Sequence, residues 1–278
     1  ACLGLHRLYN DGKLAVIQGV GYAHPNRSHF GSTEIWETGG LAELPQKTGW
    51  LGRFIDETVT RSSLLEDPVA VHFSHQTPCS LVGEIDHAIY GFNQVTPVNQ
   101  PFDQRIKSVS DSHRPNFRYP DTRFGNSLQK IAALISAGTN TRIFHVSLSG
   151  FDTHNHQSNP HHNLLKTLSD GLMAFQVDLQ SVKHANRVLT MTYSEFGRRA
   201  AENEMRGTDH GTAAPMFIMG SCINGGLHGT APLLPTGSQQ DLSHNIEHRQ
   251  VYATILDKWL GHSSLSVRNT ARPSLNFI

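Results

Sequence analysis

Apolar positions between residues 3 and 11 recur at helical spacing, with Leu5, Leu8 and Tyr9 on one face, and Asn10-Asp11-Gly12 closes the helix. Leu14 to Val20 is an apolar run interrupted by Gln18. Its length and flanking turns predict a buried strand. Gly19, Gly21, Pro25 and Asn26 then force a loop, and a short helix is expected from Ser28 to Glu37, ending at Gly39-Gly40. Thr48 to Val59 carries an apolar stripe of Trp50, Leu51, Phe54, Ile55 and Val59 and reads as a helix. A strand is expected at Val69 to Phe73. Residues 76–120, rich in Pro, Asn and Gln, read as an irregular insertion over the sheet.

From Arg123 the pattern is regular again. Leu128, Ile131, Ala132, Leu134 and Ile135 predict a helix closing at Gly138. Strands are expected at Ile143 to Leu148, Val188 to Tyr193 and Pro215 to Met219, and helices at Asn163 to His184 and Ile246 to Leu260. Leu275 to Ile278 reads as a terminal edge strand. This alternation predicts a single α/β domain over 1–278, with a mostly parallel sheet. Ligands of such sheets bind at the carboxyl ends of the strands.

Composition narrows the function classes. Hydrophobic residues make up 37% and charged residues 17%, and the formal net charge is zero, so nothing points to a nucleic-acid partner. No apolar run reaches membrane-spanning length. Cys2, Cys79 and Cys222 are far apart and offer no disulfide framework. The chain opens at Ala1 inside a helical pattern, so an upstream piece is expected.

Candidate chemistry gathers where three apolar runs stop. After Gly150 come Asp152, His154 and His156, at alternating positions. An extended loop would point all three one way, and a helical start would align Asp152 with His156. Either arrangement suits a divalent ion bound through carboxylate oxygen and neutral imidazoles, zinc above all, with calcium or magnesium as alternatives. The competing reading is a helix-capping aspartate with solvated histidines. Asp209 and His210 lie between Gly207 and Gly211 and would complete the ligand set, or form a tight turn. Glu195 is a metal ligand, a general base, or an ion-pair partner of Arg198 or Arg199. Those arginines are candidates for holding a phosphate or sulfate oxygen. Ser28 stands at a helix start, as a cap or as a nucleophile, with His29 beside it as a substrate contact.

These residues recur in a recognisable set. Gly19-Val20-Gly21, Asn26 to Phe30, Trp36 to Gly39, Gly150 to His154, Ser194 to Arg199, Glu202-Asn203, Gly207 to Ala213 and Arg249 to Tyr252 together resemble the domain-of-unknown-function 1501 family over nearly the whole chain. Members of that family are typically bacterial, often carry a twin-arginine export signal, and are grouped with alkaline phosphatases and sulfatases. The resemblance implies an alkaline phosphatase-like three-layer α/β sandwich lacking its first strand, with an exported, periplasmic location. It further implies a metal-dependent hydrolase of small anionic phosphate or sulfate esters. Ser28 matches the nucleophile, and Asp152, His154 or His156, and His210 match one metal site. The second site is depleted to Glu195, Ser28 and Asp209, because Phe196 stands where the superfamily has a histidine. A non-catalytic binding protein of the cell envelope is the alternative.

Overall fold

The computed structural model describes the chain apart from residues 42–45, 59–66, 93–99, 236, 238–240 and 265–273. Its elements in order are α1 (Leu3–Asn10), β1 (Leu14–Gly21), α2 (His29–Thr38), α3 (Trp50–Thr58), β2 (Ala70–His72), β3 (Ile89–Gly91), α4 (Gln100–Ser112) and α5 (Arg123–Ser136). β4 (Ile143–His145), α6 (Ser158–Ser181), β5 (Leu189–Met191), β6 (Ala214–Gly220), β7 (Gly226–His228), β8 (Ile246–Glu247) and α7 (His248–Thr254) follow. Ile255–Trp259 continues α7 as a π-helical turn.

The fold is mixed α/β, and the sheet differs from the mostly parallel one expected. Among the described residues there are two sheets. The smaller is parallel, in the order β3-β2-β4. The larger runs β5-β6-β1-β7, with β8 also pairing β1. β6 is antiparallel to both β1 and β5, whereas β7 and β8 are parallel to β1. The reversal has a local cause. Parallel neighbours need a long crossover, usually a helix, and residues 192–213 between β5 and β6 contain none. The chain therefore returns beside β5 in the opposite sense.

Side-chain alternation divides the apolar strand residues between two cores. Leu14 of β1, Val71 of β2 and Met219 of β6 join Leu5, Leu128, Leu172 and Phe175 beneath α1, α4, α5 and α6. Ala15 and Ile17, Ala70, and Met216 and Ile218 join Trp36, Phe54 and Tyr252 beneath α2, α3 and α7. Helices thus cover both faces. Tyr252, fully buried, also donates from its hydroxyl to the Trp36 carbonyl at 3.0 Å, which locks α7 to α2.

Several expected elements change. Residues 76–120 contribute β3 to the smaller sheet and α4 to the first core, so they are not a purely irregular excursion; 93–99 lie outside the described residues. β4 stops at His145 because its partner β2 is only three residues long, although Val146 and Leu148 still pack on the core. α6 begins at Ser158, with Pro160 tolerated in its first turn. The helix expected from Ile246 opens as β8, because Glu247 and Gln250 form a capping box that starts α7 at His248. Leu275 to Ile278 forms no strand. Fully buried Phe277 anchors it, and the Leu275 N–H goes to Thr254 Oγ1 at 2.9 Å. The expected end of α3 at Val59 lies outside the described residues. Among the described residues no helix is long and apolar enough to cross a membrane.

Candidate functional site

The reversed strand decides where the chemistry gathers. Ala214, the first residue of β6, pairs with Val20 near the carboxyl end of β1. A loop entering β6 therefore meets loops leaving β1 and β5 on one edge. His29 follows β1, Glu195 follows β5, and His210 precedes β6. The segment after β4 brings Asp152 and His154 to the same edge.

A short hairpin fixes two of these loops against each other. Arg198 and His210 form an antiparallel bridge, Gly211 N–H donates to Gly197 O at 2.8 Å, and Arg199 N–H donates to Asp209 O at 3.0 Å. Gly207 lies so close to the His154 backbone that a Cβ would stand 2.2 Å from its carbonyl carbon. Only glycine permits that approach, and it seats the turn holding Asp209 beside His154.

At the centre, His154 Nε2, His210 Nε2 and Asp152 Oδ1 form a triangle with all three edges 2.9 Å. The other ends of the imidazoles favour hydrogen on Nδ1. His210 Nδ1 is 2.8 Å from the Arg27 carbonyl, which can only accept. His154 Nδ1 faces Asp209 Oδ1 at 3.5 Å, again an acceptor. In the neutral rings both Nε2 atoms then carry lone pairs, aimed at each other and at a carboxylate oxygen. Three converging lone pairs repel unless a cation lies among them. Ligands of a tetrahedral zinc at about 2.0–2.1 Å from the ion stand about 3.3 Å apart, close to these edges.

His29 flanks the triangle. Its Nε2 is 3.2 Å from Asp152 Oδ2 and its Nδ1 is 2.9 Å from Glu195 Oε1. The Glu195 hydrogen bond, opposed by burial and helped by the Asp152 and Glu195 charges, raises the pKa of this imidazole. His29, Asp152 and His210 also bring ligand atoms within 4.8 Å of one another. Burial pushes the Asp152 pKa up, but where the imidazoles carry protons in place of an ion, the His210 hydrogen bond and the charges of His154, Arg198 and His210 outweigh this and lower it. Its side chain is 46% exposed, so an ion has access from solvent.

The remaining candidates separate clearly. His156 stays outside the cluster. It sits at φ 41° and is exposed, because the loop is neither the extended run nor the helix start considered from sequence. Asp209 stands behind His154 rather than at the triangle. Asn203 holds it with a 3.0 Å hydrogen bond, the main cause of its lowered pKa. Glu195 faces His29, with Ser194 Oγ donating to its other oxygen at 3.1 Å. Arg199 is turned inward between Asp209 at 3.9 Å and Asp241 at 3.6 Å. Arg198 reaches the centre, with Nη2 3.1 Å from Asp152 Oδ1. Ser28 is the N-cap residue of α2, yet its exposed side chain makes no capping hydrogen bond. Phe196 stacks on His210 with ring centres 4.1 Å apart, so this ring packs against the centre.

Asn203, which the sequence places in the family resemblance without assigning it a role, holds these loops together. Its amide donates to the His154 carbonyl and to Asp209, while its oxygen accepts from Met205 and Gly207 N–H groups. An asparagine four residues before a glycine is a loop signal, but nothing local links it to His154, 49 residues away.

The chain belongs to the family described as protein of unknown function (DUF1501), whose model matches residues 103–273. No curated protein matches it. Among solved structures it is similar to the crystal structure of Ps i-CgsB in complex with k-i-k-neocarrahexaose, at 12% identity and a TM-score of 0.46. That alignment covers 92% of this chain and 66% of the other, so the chain spans just under two thirds of that protein's length.

Proposed function

We propose that the protein is a metal-dependent hydrolase of small phosphate or sulfate esters, with its ion held by Asp152, His154 and His210. The observation that carries this reading is the triangle of two Nε2 atoms and one carboxylate oxygen at 2.9 Å, with an acceptor facing each imidazole from behind. Its two imidazole nitrogens and one carboxylate oxygen favour zinc over calcium or magnesium, which take oxygen ligands. A divalent ion bound there supplies a Lewis acid for a phosphoryl or sulfuryl oxygen.

The protein's own residues divide the remaining work. Ser28 offers an uncommitted hydroxyl at the start of α2, where helix N–H groups favour an oxyanion. Its Oγ attacks phosphorus or sulfur, forming the new ester bond while the bond to the leaving alkoxide breaks. His29, aligned by Glu195 through Nδ1, takes the serine proton on Nε2 once that nitrogen leaves Asp152 Oδ2, in the arrangement of a base held by a third group. The leaving oxygen takes a proton from water, and a second water releases the acid from Ser28. Arg198 holds a substrate oxygen. Asp209 and Asn203 act through His154, as positioning residues.

The test pairs metal analysis of purified protein with turnover of aryl phosphates and aryl sulfates. Protein with bound zinc, turnover lost in Ser28→Ala, and metal retained but turnover lost in His29→Ala support the reading. Metal loss in His29→Ala would make His29 a ligand instead of the base. Protein that takes up no zinc and turns over neither ester would end the proposal.

A further inference from the structure

Arg198 stands where a cation and an anion would both need it, and this builds on the metal centre proposed above. Its Nη2 is 3.1 Å from Asp152 Oδ1, and Nη1 is 3.5 Å from His154 Nε2. These are two of the three atoms assigned to the ion. With both Nε2 atoms bare, the guanidinium is the N–H donor that reaches Asp152 Oδ1. The same Nη2 donates to the Phe151 carbonyl at 3.1 Å, which tethers the head group independently of Asp152. Its side chain is only 21% exposed, so it cannot simply swing into bulk water.

We propose that Arg198 is the resident counter-ion of the metal ligands, and that a divalent ion must displace it from Asp152 before it can hold an oxyanion. Without the ion, the guanidinium supplies the positive charge the converging lone pairs require. With the ion in place, Asp152 is taken and like charges push the guanidinium off its carboxylate. The Phe151 carbonyl keeps the head group at the rim, with the freed N–H groups facing the substrate side. Phosphate or sulfate groups match its planar fork. Binding is therefore ordered, with metal first and anion second, and an anion alone finds the arginine occupied.

Calorimetric titration of metal-stripped protein with zinc, then with inorganic phosphate or sulfate, tests the order. Wild-type protein is expected to bind phosphate measurably only once loaded with zinc. A charge-assisted hydrogen bond is worth about 1.5–3 kcal/mol, so Arg198→Gln should bind zinc about 10-fold tighter or more. The same variant should lose at least about 10-fold in phosphate affinity when zinc-loaded. Arg198→Lys keeps the charge and should stay within a few-fold of wild type for zinc. Unchanged or weaker zinc binding in Arg198→Gln, with wild type binding zinc normally, would make Arg198 a mere brace of Asp152 and overturn the inference alone. Equal phosphate binding with and without zinc would also overturn it. Wild-type protein that binds no zinc would remove the metal centre, and this inference with it.

Discussion

The fully buried His248 should make the protein acid-labile well above the pH at which carboxylates protonate. Its ring has no exposed surface and sits among Trp36, Tyr252 and Tyr22, at 4.9, 5.3 and 5.8 Å between ring centres. Burial, reinforced by the neighbouring Arg249 charge, pushes its pKa from 6.5 down to about 3. The unfolded chain therefore binds a proton below pH 6.5 that the folded chain refuses until about pH 3. Through that window the unfolded state holds more protons, so stability rises with pH. The contribution is complete above pH 6.5 and is lost as pH falls, at about 1.4 kcal/mol per pH unit. Between pH 7 and pH 5 this single ring costs about 2 kcal/mol, against a total of about 5–15 kcal/mol for a typical domain. Urea denaturation of metal-stripped protein at pH 7.5, 6, 5 and 4.5 measures the slope. His248→Gln, which cannot titrate, is expected to be less stable at pH 7.5 but to show a shallower slope. The difference between the two proteins should shrink by about 2 kcal/mol on reaching pH 5. Parallel stability curves for wild type and variant would refute the assignment.

Two further outcomes follow from how the centre is held. Asp209→Ala removes the acceptor behind His154 and should weaken zinc binding about 10-fold, as losses of such partners typically do; unchanged affinity by titration would show that Asp209 does not orient the ring. Gly207→Ala places a Cβ against the His154 backbone, which cannot yield as a side-chain tip would, and should cost about 1–3 kcal/mol while weakening zinc binding. Unfolding curves matching wild type would mean that the close approach is not required.

What was readable from sequence depended on the range of the interaction. Helical stripes such as Leu128, Ile131 and Ile135 identified α5, because periodicity follows which side faces the core. The split of Ala15 and Ile17 from Leu14 between two cores is likewise a local alternation. Asp152, His154 and His210 could be singled out because ligand-type residues crowd short glycine-bounded loops. His156 shared that signal and still fell outside, since one positive-φ residue redirects a loop without changing its composition.

Strand direction left no comparable trace, and the site turns on it. A parallel β6 would have put the loop containing Asp209 and His210 at the opposite edge from β1. His210 would then have been a strand length away from Asp152 instead of at 2.9 Å. The missing crossover helix between β5 and β6 was present in the sequence as an absence: residues 194–213 hold six glycines and arginines in short polar turns but no sustained apolar stripe. That absence is the reason for the antiparallel return. The same return pairs Arg198 with His210, so the strand reversal that completes the metal triangle also delivers the guanidinium that competes for it.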